Sequence, residues 1–171
     1  MLLQTLSHTH TPHRIVLRVI GLTGGPGDLP LFRDLALQVP AGMSAVLGDE
    51  GAGKTSLMRL LCGDLVATAG QLRLLSEAAP LSLPQPSAVF WIDLRLPLHD
   101  NDTPAQCWAQ FRVSLPAWSN ETQHELIETL QLAPHLDKRI NMLSTGSRRK
   151  VGLVAALASG ATVTLLDQPF V

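Results

Sequence analysis

Charge is scarce in this 171-residue chain: Asp, Glu, Lys and Arg make up 16% of it, against roughly 25% in ordinary soluble domains. Apolar residues reach 46%, which fits either a Leu- and Ala-rich core or a surface partly covered by another subunit. The formal charge of -1 and the lack of any long basic run argue against nucleic acid as a partner held by phosphate electrostatics. Cysteine occurs only at Cys62 and Cys107, which lack the spacing of a metal site and read as free thiols of a reducing compartment. No apolar run is long enough for a membrane span, and Met1 to His8 lacks the cationic start of a secretion signal, so a cytoplasmic location is expected. His8, His10 and His13 fall in residues 1–13, a Ser/Thr/Pro-containing segment read as a flexible tail.

What the chain does have is a glycine loop. Gly48-Asp49-Glu50-Gly51-Ala52-Gly53-Lys54-Thr55 matches G-x-x-x-x-G-K-[ST]. Glycines let backbone N–H groups close around phosphate oxygens without a Cβ in the way, and a following helix offers its positive end. Lys54 is placed to reach the β- and γ-phosphates, Thr55 to hold Mg²⁺, and Ser56 to complete the loop. The flanks agree with this reading. An apolar strand around Met43 to Leu47 leads into the loop, and Ser56 to Cys62 reads as a helix stopped by Gly63.

The length suits one domain with a substantial core. Arg14 to Ile20 is β-branched and strand-like, Gly21 to Pro30 reads as a turn-rich loop, and Leu35 to Val39 as the next strand. Gly70 to Leu75 and Ala88 to Ile92 read as further strands. Helical signals then take over. Thr103-Pro104 is a cap with Pro in the first turn, Ser119-Asn120-Glu121 precedes Leu126, Ile127 and Leu130 at helical spacing, and Gly146 to Ser159 fits a helix ended by Gly160. Ala161 to Leu166 is a buried strand that ends at Asp167.

Leu143-Ser144-Thr145-Gly146-Ser147 stands before that last helix, and Asp167 lies where a carboxylate would complete Mg²⁺ coordination. The order of phosphate loop, helical insert, LS-x-G-x element and apolar strand with Asp resembles the ATP-binding cassette (ABC) ATPases over residues 14–171. The resemblance implies an α/β fold: a P-loop NTPase core of the ABC type, an N-terminal antiparallel β-subdomain and a helical insert at about 103–159. It implies ATP and Mg²⁺ as cofactors, Lys54, Asp167 and Gln168 as the catalytic positions, and Thr55 with Asp167 at the metal. It also implies that Ser144, Thr145, Gly146 and Ser147 touch nucleotide held by a second cassette, and that a transmembrane permease subunit is the other partner, placing the protein on the inner face of a membrane. Arg148, Arg149 and Lys150 follow at once, an arrangement that a helix dipole disfavours but an incoming triphosphate would tolerate.

Four departures qualify the expected chemistry. Gln168 stands where the family has a catalytic Glu, and an amide cannot take a proton from water as a carboxylate does, so a slow ATPase or a non-hydrolysing regulatory cassette is the alternative. A soluble P-loop NTPase unconnected with transport, a small-molecule kinase among them, is a further one. Between Ile92 and Pro97, where the family places a Gln, the best candidate is Asp93. No aromatic falls near Gly24 to Gly27 to stack on adenine, which predicts weak base selectivity. The chain also stops at Val171, short of the family's remaining strand and switch His, which predicts a C-terminally truncated cassette.

Overall fold

The computed structural model describes residues 2–5, 14–75, 80–81, 88–93, 96 and 99–167. They fall into two compact units, 1–89 and 90–171. His8, His10, His13 and Gln168 lie outside the described residues.

The first unit is built on an antiparallel sheet of four strands in the order β3-β2-β5-β6: β2 (Ile15–Gly24), β3 (Phe32–Pro40), β5 (Ala69–Leu75) and β6 (Pro80–Leu81). Alternation sends Leu17 and Val19 of β2 and Leu72 and Leu74 of β5 into the core, while Arg18 and Arg73 stay on the other face. The strand does not end at Ile20 as its β-branched run suggested. Gly21, at φ 63, inserts a bulge that shifts the phase by one residue, so that Leu22 rather than residue 21 is the next to be buried. Gly70, at φ 98, allows β5 to pass close by: a Cβ there would stand 2.5 Å from the Gly21 carbonyl oxygen.

A short strand, β4 (Ser44–Leu47), leads to α1 (Lys54–Cys62), whose Leu57, Leu60 and Leu61 are buried. Gly63 ends α1 in the left-handed conformation at φ 83, its N–H donating to the Leu60 carbonyl. The other side of β4 is taken by β1 (Leu2–Thr5), antiparallel from Leu2 against Leu47 to Thr5 against Ser44. These four residues belong to the segment read from composition as a tail. A strand edge has unpaired N–H and C=O groups, and the backbone of Leu2–Thr5 meets them.

The second unit is mainly helical: α2 (Pro104–Ser114), α3 (Asn120–Thr129) and α4 (Thr145–Ala158), with a two-stranded sheet of β7 (Val89–Trp91) and β8 (Val163–Leu165). Each helix starts where its capping residue predicts. Thr103 and Gln106 form a reciprocal capping box ahead of Pro104, and Ser119 and Ser144 accept from Thr122 N and Ser147 N. Helical spacing then brings Trp108, Ile127, Leu132, Ile140, Val151 and Val154 into one core. Trp108 donates its indole N–H to the Val151 carbonyl across 3.1 Å, so its burial leaves no unmet donor. Gly160 follows α4 against the chain at Ala117, where any Cβ would lie 2.2 Å from the Ala117 oxygen.

Candidate functional site

The phosphate-loop residues lie in the first unit, where β4 delivers the chain into the loop and α1 leads it away. Gly51 and Gly53 hold φ 76 and 89, a region in which L side chains are strained. The Ala52 N–H donates to the Asp49 carbonyl at 3.2 Å, which closes the turn between them. Lys54 folds back over the loop, its Nζ donating to the Gly48 and Asp49 carbonyls at 2.7 Å each. The ammonium is thereby held above the turn by two neutral acceptors, with no carboxylate as its described partner.

Helix α1 begins without a side-chain cap. Its N-cap is Gly53, and its first turn has no acidic residue. Leu57 is the first residue whose N–H bonds back to the loop, to the Gly53 carbonyl at 2.9 Å. The amides before it have no acceptor within the helix, an arrangement suited to an oxyanion. A Cβ on Gly51 would meet nothing within 4 Å, whereas one on Gly53 would lie 2.7 Å from Leu31 Cδ2 and 3.1 Å from Phe32 Cζ. Leu31 and Phe32 therefore form an apolar wall behind the loop. No spacing in the sequence marks them, since the contact depends on how β3 begins.

The LS-x-G-x element lies in the second unit and opens α4. Ser144, Thr145 and Gly146 are exposed and Ser147 is half-buried. Ser144 Oγ accepts from Ser147 N at 3.1 Å and donates to Ser147 Oγ at 3.0 Å, so this helix start is capped by its own residues. The basic first turn is also accounted for within the protein. Arg148 Nη1 stands 3.4 Å from Asp100 Oδ1, and Lys150 Nζ donates to the Leu130 carbonyl at the negative end of α3, 3.1 Å away. Arg148 and Lys150 thus have partners within the protein itself.

Asp100 was not marked as a site residue by the sequence. Its carbonyl accepts from Asn141 N at 3.1 Å, the Asp102 carbonyl accepts from Ile140 N at 2.8 Å, and Asp102 Oδ2 takes His99 Nδ1 at 3.0 Å and Gln110 Nε2 at 3.1 Å. The segment 99–102 is thus bonded to the segment that leads into Ser144. Asp167, half-buried, follows β8 at the end of the described chain, and Asp93 lies just after β7; both have partners. Thr55 belongs to the first unit and Asp167 to the second, and both offer hard oxygen donors. Among the described residues no three His, Cys, Asp or Glu gather as a metal site.

Neither thiol suits nucleophilic chemistry. Burial pushes Cys107 up to about 12, and it raises Cys62 as well, whose Sγ donates to the Arg59 carbonyl at 3.4 Å. Among the described residues no helix is long and apolar enough to cross a membrane.

Known proteins agree with this geometry. The family model described as ABC transporter matches residues 32–171. The chain is 32% identical over 149 residues to a taurine import ATP-binding protein, TauB, of Pseudomonas entomophila, covering 85% of this chain and 57% of that protein. It is 34% identical over 142 residues to a cytochrome c biogenesis ATP-binding export protein, CcmA, of Pseudomonas syringae pv. tomato, covering 82% and 66%. It therefore spans less than two thirds of either curated relative. Among solved structures, a nucleotide-free ATP-binding cassette from an ABC transporter superposes with a TM-score of 0.70 at 19% identity, over 92% of this chain and 70% of that one. A putative ABC transporter ATP-binding protein from Pyrococcus furiosus gives 0.63 at 19% identity, over 91% and 76%. The fold is the α/β fold of the ABC ATPase cassettes, as the resemblance implied. The chain belongs to the ABC transporter family of ATP-binding proteins.

Proposed function

We propose that the chain is the nucleotide-binding part of an ABC transporter's ATP-binding subunit, with residues 14–171 as the ATP-binding domain and the helical insert at about 103–159. The observation that carries this reading is the open start of α1: left-handed Gly51 and Gly53, an uncapped first turn, and Lys54 held over the loop by neutral carbonyls. Backbone amides of residues 51–56 bind the phosphates of ATP, and the Lys54 ammonium leaves its carbonyl partners for the β- and γ-oxygens. Thr55 and Asp167, both hard oxygen donors, would hold Mg²⁺, an ion that usually takes one or two protein ligands and completes its shell with phosphate and water. When bound, Mg²⁺ supplies charge neutralisation at the terminal phosphates.

Ser144, Thr145, Gly146 and Ser147 touch the nucleotide of a second cassette, and a transmembrane permease is the partner that the pair drives from the cytoplasmic face. The printed names of the curated relatives, an import and an export ATP-binding protein, support the transport reading. Gln168 supports a second reading, in which ATP binds but is hydrolysed slowly or not at all, because Gln cannot act as a general base worth about 10²–10⁴-fold. Calorimetric titration of MgATP into the wild-type chain and Lys54→Ala tests the binding site. Saturable binding that weakens in the variant is the expected result, and equal affinity in both would overturn the assignment. A phosphate-release assay on Gln168→Glu in a full-length protein separates the two readings of turnover, since a marked gain is expected only if this position is the missing base.

A further inference from the structure

His99 lies in the second unit, 9% exposed, and belongs to neither the glycine loop nor the LS-x-G-x element. Its Nδ1 stands 3.0 Å from Asp102 Oδ2, and because an ionised carboxylate can only accept, Nδ1 is the donor. Phe111 of α2 packs on the ring at a centroid distance of 5.4 Å and an angle of 61°, which holds its orientation. Gln110 Nε2 donates to the same Asp102 oxygen at 3.1 Å, and the Asp102 N–H closes the turn by donating to the His99 carbonyl at 3.0 Å. The carboxylate is thereby gripped by two side-chain donors.

The backbone of this turn reaches the other segment. The Asp102 carbonyl accepts from Ile140 N at 2.8 Å, and the Asp100 carbonyl from Asn141 N at 3.1 Å. Residues 140–142 form a single 3₁₀ turn, flanked by the buried side chains of Ile140 and Leu143. These bonds and that burial locate the turn that delivers Ser144.

We propose that His99 is a positioning residue for the LS-x-G-x element, acting through Asp102. The inference rests on the reading of Ser144 to Ser147 as the contact for nucleotide held by a second cassette. A hydrogen bond from a buried ring to a carboxylate is short, directional and stronger than one between neutral groups. With it in place, the Asp102 carbonyl points at Ile140 N and residues 140–144 have one path to the start of α4. Without it, the carboxylate, whose side chain is already 27% exposed, turns toward water, and the carbonyl is free to tilt away. Ser144 then meets its ligand from a less defined position.

Two substitutions of similar polarity separate the donor from the bulk of the ring. The amide nitrogen of Asn takes the place of Nδ1 and that of Gln the place of Nε2, so His99→Asn keeps the donor to Asp102 and His99→Gln misplaces it. Backbone-amide NMR of the chain without nucleotide reads the result: His99→Gln should shift residues 140–147, and His99→Asn should leave them near their wild-type positions. MgATP-driven association, followed by sedimentation velocity, should weaken about three- to tenfold in His99→Gln and stay within about twofold of wild type in His99→Asn. If both variants shift 140–147, or neither does, the proposal is overturned. Gln110→Ala, an exposed change, keeps the test decisive should His99→Gln fail to fold. It removes the other donor to Asp102 Oδ2 and should shift the same amides by a smaller amount, and no shift would overturn the proposal. A wild type that does not associate with MgATP, beside the expected NMR pattern, would instead overturn the second-cassette reading and leave the link from His99 to Ser144 standing.

Discussion

The helices α1 and α4 both begin at a small-residue loop, and both were read from sequence as places where phosphate meets a helix's positive end. They are prepared differently. Helix α1 starts with no side-chain cap, no first-turn acid and two left-handed glycines, whereas α4 starts with Ser144 capping Ser147 N and with Arg148 and Lys150 already engaged. A helix start without a side-chain cap offers an anion its positive end with no cap to displace. A self-capped start must exchange the Ser144 contact for a ligand contact. The difference fits the proposal that α1 binds phosphate within one chain and that α4 meets nucleotide presented by a second cassette.

The largest expected effect follows from this. Lys54→Ala should weaken MgATP binding by about 10- to 100-fold, the worth of hydrogen bonds to a charged group, while leaving the melting midpoint almost unchanged because its carbonyl partners are solvent-exposed. Calorimetry and a thermal melt on the same sample check both halves. Glycine replacements sharpen the picture of the loop. Gly53→Ala should cost about 1–3 kcal/mol, since it combines a strained φ of 89 with overlap on Leu31, and Gly51→Ala about 1–2 kcal/mol from φ alone. Urea unfolding of the two variants would break the account if Gly51→Ala were the more damaging.

On the α4 side the effects are smaller. Ser144→Ala should destabilise the chain by about 1 kcal/mol through loss of the cap, with MgATP affinity of the isolated chain unaffected. Asp100→Asn should cost no more than about 1 kcal/mol, because the pair with Arg148 is at 3.4 Å and both side chains are partly exposed. Denaturant midpoints measure both. A large loss of ATP affinity in either variant would mean that α4 acts within one chain.

Much of this was legible in the sequence because the signals were local. A β-branched run marked the strand around Leu17, Thr103, Ser119 and Ser144 marked helix starts, and Gly63 and Gly160 marked helix ends. What escaped depends on contacts between distant segments. The run from Gly21 to Pro30 looked like a loop because glycine and proline dominate it, yet pairing with β3 and β5 carries the strand on through the bulge to Gly24. The strand Leu2–Thr5 exists through its partner Ser44–Leu47, which lies forty residues away and leaves no local mark. Asp100 and the Leu31–Phe32 wall were missed for the same reason, since neither belongs to a spaced motif.

The most direct measurement of the contrast between the two helix starts is a backbone-amide NMR titration of the dilute chain with MgATP. Large shifts are expected at residues 51–56 and little change at 144–147, because only the second start is already capped by its own side chain. Equal shifts at both segments, or shifts confined to 144–147, would contradict that contrast.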